Sequence, residues 1–149
     1  MKKLLLVLIA VMGLSFAANA QDAIGVRLGR SNGYGGEISY WKGLGSNRLE
    51  VDLGFSGGDY INLAGIYQFK GNIANDFGWF AGPGLNAGYC INHGFGLAIL
   101  LQGGVEFNPS SLPVLFSLDF RPSFDFLIDK NCGYSNLGYG FALGIRYKL

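Results

Sequence analysis

After residue 20 the chain has no apolar run of the ~18 residues that a membrane-crossing helix needs. It also has no basic surplus. Setting Lys2 and Lys3 aside with the leader described below leaves nine basic residues against ten acidic ones, a net charge of about −1. That balance gives no electrostatic footprint for nucleic acid. Histidine occurs once, at His93, and cysteine twice, at Cys90 and Cys132, which is too few for a convincing zinc centre. No serine lies within four residues of His93, so no local nucleophile–base pair is in view. Pairs such as Gly82-Pro83-Gly84 precede no helical pattern and do not read as nucleotide fingerprints. No catalytic residue, metal or cofactor is expected.

What the chain does have is glycine, 25 residues in 149 against a ~7% background and without a collagen repeat, together with many aromatics. Its first residues form a unit of their own. Lys2 and Lys3 precede the apolar stretch Leu4 to Leu14, and Ala18-Asn19-Ala20 is an A-x-A cleavage site. This is the pattern of a secretory signal peptide. Gln21 follows where a lipid-anchored protein would carry cysteine. Residues 1–20 are thus expected to be removed, leaving one domain over residues 21–149.

The last fourteen residues, Asn136 to Leu149, alternate strictly. Leu137, Tyr139, Phe141, Leu143, Ile145, Tyr147 and Leu149 fall on one face. Gly138, Gly140, Ala142, Gly144, Arg146 and Lys148 fall on the other. A period of two means an extended strand. An apolar face opposite glycine and charge suits a transmembrane barrel strand, with lipid outside and a narrow polar lumen inside. Seven further segments read similarly: Ile24 to Arg30, Tyr34 to Lys42, Arg48 to Ser56, Tyr60 to Lys70, Phe77 to Tyr89, Phe95 to Phe107 and Val114 to Phe124. Asn32-Gly33 is a hairpin signal between the first two. In the second segment, the weakest, Ile38 and Tyr40 oppose Glu37 and Ser39. Pro83, inside the fifth, predicts a bulge or kink.

Eight strands of this length match the ~9–11 residues that cross a bilayer at a tilt. The expected fold is therefore all-β, an eight-stranded antiparallel up-and-down transmembrane β-barrel. Closure satisfies edges that lipid cannot, and eight strands enclose an interior that side chains fill. Arg27, Arg48, Glu50, Asp52, Glu106, Asp119, Arg121, Arg146 and Lys148 fall on the lumen side. Acids and bases in similar number should pair there, because an unpaired buried charge is costly. The same residues would also serve a proton or ion path, and alternation alone does not separate plug from path. Cys90 and Cys132 both fall at the outer end. The oxidising exterior permits a disulfide between them, and two free thiols too far apart to join remain the alternative.

The final strand, with Gly144, then Tyr147 three residues on, then an apolar last residue Leu149, resembles the C-terminal targeting strand of bacterial outer-membrane barrels. Over essentially all of residues 21–149 the chain resembles the small eight-stranded outer-membrane barrels of Gram-negative bacteria, the OmpA/OmpX-like group. Val105 to Phe124, VEFNPSSLPVLFSLDFRPSF, carries the likeness most clearly. The resemblance implies an outer-membrane location, contact with outer-membrane lipid, and insertion helped by periplasmic chaperones and the barrel-assembly machinery. It brings no catalytic residue. The functional expectation is a non-enzymatic barrel with a structural, envelope-integrity or surface-interaction role. A small-solute conduit and a membrane-embedded lipid-modifying enzyme are the alternatives. A soluble lipocalin-like calyx, with apolar face inward and charges outward, is a third.

Overall fold

The computed structural model describes residues 21–31, 34–91, 94–127 and 137–149. Eight strands are seen: β1 (Ala23–Ser31), β2 (Tyr34–Leu44), β3 (Asn47–Ser56), β4 (Tyr60–Ala74), β5 (Phe77–Cys90), β6 (Gly94–Phe107), β7 (Val114–Leu127) and β8 (Leu137–Lys148). Each pairs antiparallel with its neighbour in sequence, and β1 pairs with β8 to close the barrel. The end bearing both Gln21 and Leu149 is called proximal here, and the opposite end distal.

The strands run further than the sequence pattern suggests. At the proximal end the loop expected over residues 43–47 shrinks to Gly45-Ser46, and the one expected over 71–76 shrinks to Asn75-Asp76. Both tight turns use left-handed backbone, at Gly45 (φ 69) and Asn75 (φ 43). Glycine has no Cβ to clash in this region, and asparagine tolerates it better than most residues. At the distal end β7 continues to Leu127, past the expected stop at Phe124.

The alternation expected for β8 is present at every step: exposed and buried residues alternate from Leu137 to Tyr147. Outward positions are apolar around the whole barrel, with Leu28, Leu63, Leu85, Leu101, Leu118 and Leu143 all exposed. Outward aromatics gather toward the two ends. Trp79, Phe77, Phe116 and Tyr147 lie proximally; Phe55, Tyr89, Phe95, Phe124 and Tyr139 lie distally. Inward positions hold glycine, small residues and buried charge. This is the reverse of a lipocalin-like calyx, so that reading is set aside.

Of the bulge or kink expected at Pro83, no bulge is present, since the register does not shift there. The β4–β5 ladder lapses between the pairs Ile66/Gly84 and Phe69/Ala81 and then resumes in the same register. Pro122 coincides with an equivalent lapse in β6–β7, between Leu100/Ser123 and Gly103/Phe120. Proline offers no N–H to a ladder, so a local gap without slippage follows. Register shifts occur elsewhere, between Asn72 and Ala74 and between Leu97 and Ala98.

Candidate functional site: the barrel lumen

The lumen is built from the inward side chains of all eight strands, and its chemistry is that of arginine and carboxylate. Arg27 on β1 donates to Asp119 on β7, with Nε to Oδ2 at 3.0 Å, and pairs with Glu37 on β2 at 2.6 Å. Arg121 on β7 reaches Asp52 on β3 at 2.6 Å and Glu37 at 3.3 Å. Arg146 on β8 meets Glu50 on β3 at 2.6 Å and donates to the hydroxyls of Ser39 and Ser117 at 3.0 and 2.7 Å. Arg48 on β3 pairs with Glu106 on β6 at 2.6 Å. Gln68 links these groups by accepting from Arg48 and donating to Glu50 and, at 2.6 Å, to Gln102. The four arginines and their partners are buried or nearly so. Buried charge survives only when paired and hydrogen-bonded, and the planar guanidinium suits several oxygens at once.

Toward the proximal end the arginines also stack on rings. Trp41 is fully buried. The Arg48 guanidinium carbon lies 3.2 Å from its ring centroid and that of Arg146 3.8 Å. Phe80 packs edge-on against Trp41, centroids 5.9 Å apart. Cation–π attraction is strongest with tryptophan and where water is excluded. Gly144 makes this possible: a Cβ there would collide with the Arg146 guanidinium and the Ser117 hydroxyl.

Eight of the nine charges expected in the lumen thus join one connected group. Lys148 does not. It sits at the proximal rim, half-exposed, and donates to the Asn108 side chain at 2.9 Å and the Pro109 carbonyl at 3.0 Å. At the last position of a strand the inward phase points past the wall, where the β6–β7 turn provides acceptors. Tyr40, expected on the lipid side, is buried because its hydroxyl donates to Asp22 at 3.1 Å; Lys42 and the Gly43 amide share that carboxylate. The Leu149 amide donates to the Asp22 carbonyl at 2.9 Å and ties down the C-terminus. Gly144 faces the lumen, while Tyr147 and Leu149 face outward. Cys90 ends β5 at the distal rim. Cys132 and His93 lie outside the described residues.

The arrangement adds residues that the pattern alone did not single out. Glu37 lies in the weakest segment yet bridges Arg27 and Arg121. Trp41, Phe80, Ile66 and Leu100 are apolar and face inward. Their phase was the available signal: Trp41 shares parity with Glu37 and Ser39, Phe80 with Gly78, and Leu100 with Gln102.

Two cavities flank the charged layer and, among the described residues, have no lining residue in common. The distal one has the Arg27–Glu37–Arg121 group as its floor. The proximal one lies at the rim near Lys70, Asn75 and Glu106. Among the described residues no cluster of three or more potential metal ligands exists.

No family model and no curated protein matches the chain. Among solved structures, the crystal structure of Neisserial surface protein A is similar, with a TM-score of 0.62 at 14% identity, over 86% of this chain and 94% of that one. At that identity the likeness is one of fold: this chain has the architecture of a small eight-stranded barrel of the kind represented by that surface protein.

Proposed function

We propose that the protein is an integral outer-membrane barrel without enzymatic activity, whose lumen is plugged by its own ion pairs and whose role is structural, protective of the envelope, or one of surface interaction. The observation that carries this reading is the division of the wall: apolar side chains outward on every strand, paired charge inward. A closed hydrogen-bonded sheet with such a skin fits a bilayer. The fold shared with Neisserial surface protein A supports the location. So does the signal-peptide pattern of residues 1–20, through which periplasmic chaperones and the barrel-assembly machinery would receive the chain. In this placement the proximal end faces the periplasm and the distal end the exterior. The Cys90–Cys132 bridge belongs to the same proposal, as a tie across the exterior end.

The competing reading is a conduit. It predicts a measurable current, whereas a paired, cross-linked middle layer leaves ions no continuous path. Planar-bilayer recording of the refolded protein should show no steady single-channel conductance. A stable, well-resolved current from the unmodified protein would move the reading from plug to pore.

A further inference from the structure

The two halves of the lumen differ in charge. Proximally, Glu50 and Glu106 are matched by Arg146 and Arg48, and Lys70 adds a further cation on the cavity that Glu106 lines. From the level of Asp52 and Asp119 outward, four inward carboxylates (Glu37, Asp52, Asp119 and Asp125) face two guanidiniums, Arg27 and Arg121, among the described residues. Asp125 is the one without an ion pair, and its Oδ2 is a buried oxygen with no hydrogen-bond partner. It faces the lumen next to the register shift at Leu97/Ala98. It keeps the inward phase of Asp119, Arg121 and Ser123 on the same strand. Arg121, 3% exposed, also lines this space, and its Nε–H has no acceptor. The cavity volume is about 80 Å³, several times the ~10–15 Å³ that one water needs. Its walls are glycine-rich, with an apolar side formed by Ala64, Ala98 and Leu100 and a polar side formed by the hydrogen-bonded pair Asn62–Asn86.

We propose that this distal half is a blind cup that binds a small primary ammonium ion on a short apolar body. Asp125 takes the charge, with Glu37 behind it, and the body lies on Ala64, Ala98 and Leu100. Excess negative charge in a low-dielectric pocket attracts a cation. The absence of a three-ligand cluster among the described residues disfavours a directly coordinated metal. The apolar side favours an alkylammonium over a bare hydrated ion. The cup goes beyond the plug reading but rests on it for its floor.

The test is the unfolding midpoint of the refolded barrel in detergent micelles, titrated with n-butylammonium at constant ionic strength. Sodium, tetramethylammonium and magnesium are the comparison ions. Butylammonium should give a saturable rise, tetramethylammonium and sodium only a linear salt effect. Asp125→Asn should fold and bind butylammonium on the order of tenfold more weakly, as loss of one charge-assisted contact implies. Amide shifts in the micelle-bound protein should concentrate at Gly94, Gly96 and Ala98. No saturable effect of butylammonium, an equal effect on Asp125→Asn, or an equal effect of magnesium would each overturn the cup. None of these results would bear on the conductance measurement, which tests the plug separately.

Discussion

Arg121 makes contact with three carboxylates from two strands, Glu37, Glu50 and Asp52, more than any other arginine of the lumen among the described residues. Replacing it by leucine removes one charge but leaves Asp52 buried with its main partner gone. Arg121→Leu should therefore destabilise the barrel by about 3–5 kcal/mol, read from urea titrations of the refolded protein. The double variant Arg121→Leu with Asp52→Leu should recover a large share of the loss, since removing both charges leaves no orphan. A neutral single variant would show that water or relaxation compensates these charges and that the network is not structural. Glu37 shows why part of this site was hidden at the residue scale. It lies among Gly35, Gly36, Ile38 and Ser39, where contrast between faces is faint. Its role depends on Arg27 and Arg121 arriving from strands far away in sequence.

At the scale of elements, β3, β7 and β8 were legible because each puts large apolar side chains opposite charged or small residues near the middle. Leu118 on β7 illustrates this. It is 49% exposed and pairs with Val105 on one side and Leu143 on the other, an entirely apolar row on the outer skin. Leu118→Arg should cost roughly 2–4 kcal/mol in reconstituted folding titrations if that row faces hydrocarbon near mid-bilayer. A neutral substitution would mean that this row faces water. Strand ends and inward apolar groups were less legible. Lys148 has the right parity for the lumen, but parity does not tell where the wall stops. Ile66 and Leu100 have the right chemistry for lipid, yet meet each other and Ala64 on the inside. Side-chain type alone misassigns such positions; only the phase inherited from neighbouring polar residues places them.

For the whole molecule, the distal rim is where strands distant in sequence would be tied. A Cys90–Cys132 bond would close a span of 42 residues (132 minus 90). That is worth on the order of 4 kcal/mol in the chain-entropy model. The folded protein should then migrate differently on gels with and without reductant. Full maleimide labelling of both thiols in denatured, non-reduced protein would exclude the bond. Such a tie was open in the sequence because spacing gives no distance between loops, whereas closure itself was legible from the even strand count and the repeated two-faced pattern. The ion pairs add a kinetic dimension to closure. Arg121 and Asp52 are 69 residues apart, Arg27 and Asp119 92, and Arg146 and Glu50 96. Contacts of such high sequence separation form late and slowly. A half-assembled sheet of β1 to β4 holds Glu50 and Asp52 but neither Arg121 nor Arg146. Its carboxylates must stay hydrated until β7 and β8 arrive. Assembly should accordingly be all-or-none at its final step, with the last hairpin bringing the arginine partners of Asp52 and Glu50 and, in Asp119, a carboxylate for Arg27.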